Sequence, residues 1–246
     1  MKGESDAGFV LHTYAYRETS LIVETFTRQH GRVVLVARGA KRPLGAMRGV
    51  LLPFQGLSFT WFGKGEMKTL KGAEQQRILP QLSGDALLSA FYLNELLLKL
   101  ATREDPHERL FDTYADTISA LAALPTVGRS ARDLAAILRR FEITLLQELG
   151  YALQLQEEAD TREPIRADDI YAYLVERGPV QHADASRQPG AFDAVQLQGK
   201  TLLDMSSLDF TDPQTQVQSK HLLRMVINHL LGDKILYTRQ LIREMR

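Results

Sequence analysis

The first 80 residues carry apolar and polar side chains in short runs, with stretches of the two-residue period of a strand that turns one face to a core. Phe9–Tyr16, Ser20–Thr27, Arg32–Arg38, Gly56–Phe62 and Glu66–Lys71 are rich in β-branched and aromatic residues. Short polar breaks separate them. Gly31 opens the third run, and Gly63-Lys64-Gly65 offers a hairpin turn between the last two. No helix-period segment of useful length interrupts the series. Five short strands punctuated in this way predict a small closed barrel.

Beyond residue 80 the period lengthens to that of a helix. Ser83 precedes a stripe holding Leu87, Phe91, Leu97 and Leu100. Pro106, after Asp105, predicts the first turn of a second helix that carries Leu110, Phe111, Tyr114 and Ile118 and stops at Pro125. Ser130 with Asp133 resembles a capping box for a third, whose Leu134, Leu138, Phe141 and Leu145 share a side before Gly150 ends it. The signal weakens over 151–200, where Ile170, Tyr171, Tyr173 and Val175 suggest a strand, Gly178-Pro179 a turn, and 182–192 a loop. Asp212-Pro213 opens a last long helix closed by Gly232, and Thr238 is the expected cap of a short helix Arg239–Met245.

Charge changes this picture. The whole chain is neutral, with 30 basic and 30 acidic residues. Residues 1–80 hold 12 Lys and Arg against 6 Asp and Glu, so the rest hold 18 against 24. A basic barrel joined to an acidic body hints at a polyanion partner for the barrel. Arg38, Lys41, Arg42 and Arg48 lie in a stretch with no carboxylate between Glu24 and Glu66, and Lys64, Lys68 and Lys71 follow on the next hairpin. Such cations suit phosphate contacts; they equally suit a solvated loop. Phe59, Trp61 and Phe62 include candidates for base stacking. Residues 59 and 61 share a strand face, though, which is ordinary barrel packing.

Catalytic and metal patterns are absent. The chain has no cysteine, which removes disulfides, thiolate catalysis and cysteine zinc sites. It has no phosphate-binding loop, no nucleophile elbow and no H-E-x-x-H. The six histidines are scattered; His182 with Asp184, and the acidic run Glu157, Glu158 and Asp160, read as solvated polar groups before they read as metal ligands. No catalytic residue, metal or cofactor is expected, so the chain is not read as an enzyme. The polar start Met1–Gly8 and the lack of a long apolar run lead to the expectation of a cytoplasmic, nucleoid-associated protein without membrane contact. Arg139, beside Leu138, Phe141 and Ile143, would offer a carboxylate a planar fork of donors. On residue pattern alone it serves as well by covering core surface with its stem.

In order and spacing the chain resembles the RecO recombination-mediator family nearly end to end. The likeness runs through Phe9-Val-Leu-His12, Glu18-Thr-Ser-Leu21, Gly31-Arg32-Val33, Ala37-Arg-Gly-Ala-Lys41 and Leu52-Pro53-Phe54. It continues through Gly65-Glu-Met-Lys-Thr-Leu70, Tyr92-Leu-Asn-Glu-Leu-Leu97, Arg139-Arg-Phe-Glu142, Leu149-Gly-Tyr151 and Gly232-Asp-Lys234. The resemblance implies an α+β multidomain protein. Residues 1–80 would form an N-terminal OB-fold β-barrel, 81–150 a helical body, 151–205 a small zinc-finger-like insertion, and 206–246 C-terminal helices that pack on the helical body. Many members bind zinc through four cysteines in that insertion; this chain lacks them, and no zinc is expected. It also has Ile235 where many relatives carry proline.

The resemblance further implies a DNA repair and homologous recombination mediator. Such a protein binds single- and double-stranded DNA and anneals complementary strands. It engages the C-terminal tail of single-stranded DNA-binding protein (SSB), and with RecR it helps load RecA onto coated DNA. Arg32, Arg38, Lys41, Arg42, Arg48, Lys64, Lys68 and Lys71 are the expected DNA-binding cations. Arg139 with Ile143 is the expected pocket for the tail's terminal carboxylate and aromatic ring. The alternatives are an OB-fold RNA-binding or translation-associated factor, a protein–protein scaffold, and a small-molecule enzyme.

Overall fold

The computed structural model describes residues 3–42, 45, 47, 49–125, 130–181 and 194–244. They divide into two compact units, one comprising Met1–Leu124 with Leu236–Arg246, the other Pro125–Ile235.

The first unit is built on a closed barrel of strands β1 (Glu4–Tyr16), β2 (Ser20–Thr27), β3 (Gly31–Ala37), β4 (Gly56–Phe62) and β5 (Met67–Arg77), in the order β1-β2-β3-β5-β4. β3 and β5 pair in parallel; every other ladder is antiparallel. The β4 burial pattern alternates without a break, placing Leu57, Phe59 and Trp61 inside with Val10, Val23, Leu35 and Leu70. The expected strands are present, and two are longer than expected. Glu4–Gly8 extends β1 so that it pairs with Leu57–Trp61 and closes the barrel. β5 runs on to Arg77 past a bulge opposite Thr60/Trp61. Polar residues fill both extensions, so hydrophobic alternation does not announce them.

Helices α1 (Gly84–Leu100) and α2 (Glu108–Ala123) complete this unit with α6 (Tyr237–Glu244). Phe111 and Tyr114 of α2 meet Phe9 and Phe26 of the barrel, with ring centroids 5.1 to 6.1 Å apart. The Tyr114 hydroxyl donates to the Asn94 side chain (2.6 Å), and the Asn94 amide donates to the Leu11 carbonyl (2.9 Å), tying α2, α1 and β1 together. Helix α2 begins at Glu108 with His107 as its cap, not at Pro106. The preceding chain is held against β3 instead. Glu104 N–H donates to the Arg32 carbonyl, and the Asp105 carbonyl would lie 2.1 Å from a Cβ at position 31. Gly31, at φ +65°, is therefore required twice over, by conformation and by contact.

The second unit holds α3 (Ala131–Glu148), α4 (Gly199–Ser206) and α5 (Pro213–Leu231), with strands β6 (Ile170–Leu174), β7 (Gly178–Gln181) and β8 (Val195–Gln198). α3 packs on α5. Ser130 caps α3 by accepting from Arg132 N–H, and the Asp212 carboxylate caps α5 by accepting from Gln214 and Thr215. Gly150, at φ +85°, completes a Schellman ending: its N–H donates to Gln147, and Tyr151 N–H donates to Leu146.

Residues 151–205, expected as a zinc-finger-like insertion, contain an antiparallel sheet of order β7-β6-β8 followed by α4. Gly178-Pro179 starts β7 rather than forming the turn. Glu158 and Asp160 of the acidic run are committed to internal partners. The buried Glu158 carboxylate accepts the amides of Asp160 (2.8 Å) and Thr161 (2.5 Å), and Asp160 pairs with Arg177. Among the described residues no group of three His, Asp or Glu side chains is placed to hold a metal. His182 and Asp184 lie outside the described residues.

Thr238 does not cap the last helix. Glu95 of α1 does: its carboxylate accepts the N–H groups of Tyr237 (2.8 Å) and Thr238 (2.9 Å) and the Thr238 hydroxyl (2.6 Å). Burial opposes ionisation of Glu95, but the Thr238 and Tyr237 hydrogen bonds together with Lys99 outweigh it and hold the carboxyl below its ordinary range. A depressed folded pKa gives stability that is present above the unfolded value, about 4.3, and is lost as pH falls through the folded one. Hydrogen exchange at the Tyr237 and Thr238 amides should show protection that holds at neutral pH and fades in that acid window. In Glu95→Gln the protection should be weaker at neutral pH and nearly independent of pH.

Candidate nucleic-acid interface

Seven of the eight expected DNA-binding cations lie in the described residues, and they fall into two groups. Arg32 and Lys68 are buried and committed internally. Arg32 donates two 2.8 Å hydrogen bonds to the Leu98 and Ala101 carbonyls at the end of α1, and a third of 3.1 Å to Glu24. This is a cation at a helix C-terminus, where the orphan carbonyls need a donor. Arg103 donates to the other Glu24 oxygen at 2.7 Å, so a carboxylate only 5% exposed is held between two guanidinium groups. Lys68 pairs with Glu104 at 2.7 Å. Arg28, on the β2–β3 turn, likewise pairs with Asp112 and Glu108 of α2.

Arg38, Lys41, Arg42, Lys64 and Lys71 are exposed, and none makes an ion pair among the described residues. Arg48 lies outside the described residues. Arg38 and Arg42 line one broad open concavity of ≈ 700 Å³ on the outside of the barrel. Its floor is Val36, Met67 and Thr69, and the β1–β2 turn, Tyr16–Ser20, forms its far wall. Arg17 belongs to that wall and is the cation that sequence reading passed over. It sits at φ +52° with its guanidinium 5.1 Å from the centre of the Tyr16 ring. The two loops are joined by the Lys41 N–H, which donates to the Thr19 carbonyl at 2.9 Å. That link between residues 22 positions apart is invisible in a charge count, and Glu18 beside Arg17 masks it further. Lys64 stands in the β4–β5 turn. Lys71 is the extra residue of the β5 bulge and is exposed, next to the inward Leu70.

Arg139 lies in the second unit and is not solvated. It is 9% exposed and donates to Glu142 one turn on at 3.0 Å; its Nε is buried without a hydrogen-bond partner. Ile143 is half-buried on the same helix. Arg140 is exposed and donates to the Leu208 carbonyl. Among the described residues no helix is long and apolar enough to cross a membrane.

These features define a two-unit protein whose N-terminal five-stranded barrel presents a face of cations without ion-pair partners among the described residues. Comparison with known proteins places it further. The family model described as Recombination protein O N terminal matches residues 1–78, and Recombination protein O C terminal matches 81–236. The chain is 49% identical over 244 residues to a protein of Aromatoleum aromaticum named DNA repair protein RecO, covering 99% of this chain and 96% of that one. Proteins of the same name from Nitrosospira multiformis and Ralstonia nicotianae are 48% and 47% identical, covering 98% and 95% of this chain and 95% and 82% of their own. The chain belongs to the RecO family.

Glu24 is the hinge between committed and free cations, and its removal has a definite cost. Glu24→Ala leaves Arg32 buried beside Arg103 with no carboxylate, and urea unfolding should show a loss of about 3–5 kcal/mol. A loss below about 1 kcal/mol would mean that water or the α1 carbonyls alone satisfy Arg32.

Proposed function

We propose that this chain is a DNA repair and recombination mediator that works by binding rather than by chemistry. It holds single- and double-stranded DNA on the barrel and anneals complementary strands. It takes the SSB C-terminal tail on α3, and with RecR it promotes loading of RecA. The observation that carries the DNA reading is the concavity bordered by Arg17, Arg38 and Arg42, three guanidinium groups with no ion-pair partner among the described residues. Cations freed of internal partners gain most from phosphate, because binding releases the counterions condensed on the strand. Contacts confined to phosphate leave base edges free, which annealing of two strands requires.

The tail reading rests on Arg139. Its guanidinium is held in place by Glu142 and keeps one N–H without an acceptor. A terminal carboxylate arriving there finds a fixed planar donor on a helix that also carries Ile143.

Two variants separate the two sites. The double charge reversal Arg38→Glu/Lys41→Glu should weaken binding of a labelled oligonucleotide by at least about tenfold and leave affinity for an SSB-tail peptide unchanged. Arg139→Ala should do the converse. Both are read by fluorescence anisotropy, with RNA of the same sequence as competitor. Unchanged DNA affinity in the double variant would remove the loop from the site, and a strong preference for RNA would replace the repair reading with that of an RNA-binding factor.

A further inference from the structure

Strand pairing lines up five side chains in one row across the barrel. Tyr14 pairs with Ile22, Ile22 with Val36, Val36 with Thr69 and Thr69 with Phe62. Directly paired residues share a sheet face. That face is the outer one, because the next residues along four of the five strands, Val23, Leu35, Leu70 and Trp61, point into the barrel core.

Among the described residues the row is partly open to solvent, and the Tyr14 ring packs edge-on against His12 with centroids 4.5 Å apart. Tyr14 is 48% exposed, and Ile22, Val36, Thr69 and Phe62 are half-buried. Met67, two positions from Thr69 on the same face, is 51% exposed. Aromatic rings stand at both ends, with short side chains between them. Four strand spacings of about 4.8 Å separate the ends by roughly 19 Å along the sheet. Cations border the band: Arg17, Arg38 and Arg42 share the concavity that Val36, Met67 and Thr69 floor, and Lys64 follows Phe62 by two residues. Glu18 lines the same concavity beside Arg17, and Glu66 precedes Met67.

An apolar band with rings at its ends and cations along its edge fits one occupant by charge and shape. That occupant is a nucleic acid strand whose phosphates meet the guanidinium groups while its bases lie on the rings. A duplex cannot use the rings, since its base faces are already stacked on each other. We propose that Tyr14 and Phe62 form a base-stacking platform that makes the barrel prefer single strands. The proposal rests on the reading of the barrel as the DNA-binding surface and adds the groups that select the form of DNA. A base lying on a ring still presents its pairing edge, so the platform is compatible with annealing.

Tyr14→Ala and Phe62→Leu test it, the second keeping an apolar side chain where the ring is half-buried. Affinity for single- and double-stranded oligonucleotides is measured by anisotropy on the full chain at two salt concentrations. Each variant should lose single-strand affinity by roughly 5- to 100-fold. Duplex affinity and the salt dependence should stay at wild-type values, and Tyr14→Phe should bind as wild type. Wild-type affinity for single strands in both variants overturns the proposal, as does an equal loss on single strands and duplex. The charge-reversal double variant in the same series keeps the two claims apart. If it loses both DNA forms while the ring variants lose neither, the barrel still binds DNA and only the platform falls.

Discussion

The first unit depends on one buried carboxylate. Glu24 accepts from Arg32 and Arg103, and Arg32 in turn closes the end of α1 through the Leu98 and Ala101 carbonyls. The ion pair is expensive to bury and is retained because every strong donor around it has an acceptor, apart from the Arg32 Nε. Its consequence reaches beyond stability. It fixes the Glu24 end of β2 and β3 against the helices, while the opposite end of the same strands carries the half-buried Ile22 and Val36 and the exposed Arg38. Among the described residues the barrel thus has one end where Arg28 and Arg32 are paired within the protein, and another where Arg17, Arg38 and Arg42 make no ion pair.

Much of the fold could be read from the chain because its signals are local. β4 alternates residue by residue, and Asp212-Pro213 and Gly150 act within a turn of their helices. The misreadings share a cause, a partner distant in sequence. Pro106 looks like a helix start until the loop before it is seen lying on Gly31, and Thr238 looks like a cap until Glu95, 143 residues away, takes its amide. The same holds for the candidate site. Arg32 and Arg38 occupy one strand and its edge and have the same chemistry, yet one faces the end of α1 and the other solvent. Lys68 and Lys71 differ in the same way, because three positions along one strand put them on opposite faces: Lys68 is in register with the inward Leu35, and Lys71 follows the inward Leu70. Arg17 and Tyr14 carry no local signal, because the Lys41–Thr19 link brings the Arg17 turn to the concavity and strand pairing brings Tyr14 to its row.

Family membership and physical structure meet at the barrel. The RecO N-terminal match covers residues 1–78, which are the barrel strands and the basic loop, and the C-terminal match covers 81–236. The proposed division of labour follows the two units: phosphate contacts and stacking on the first, carboxylate capture by Arg139 on the second. In the first the cations have no ion-pair partner among the described residues, so they give up no internal contact to meet phosphate but must be ordered on binding. In the second the guanidinium has one, Glu142, which fixes its plane. Only the second is preorganisation, which reduces what binding must spend on ordering side chains.

The central claim is that the cations at the Arg38 end of the barrel bind DNA through phosphate. Its most direct test is the salt dependence of single-strand affinity for the wild-type chain, from roughly 50 to 200 mM salt. With about four to six phosphates neutralised, log affinity should fall against log salt with a slope of about −3 to −4. A slope near zero with binding intact, or no binding at low salt by a folded chain, would contradict the account.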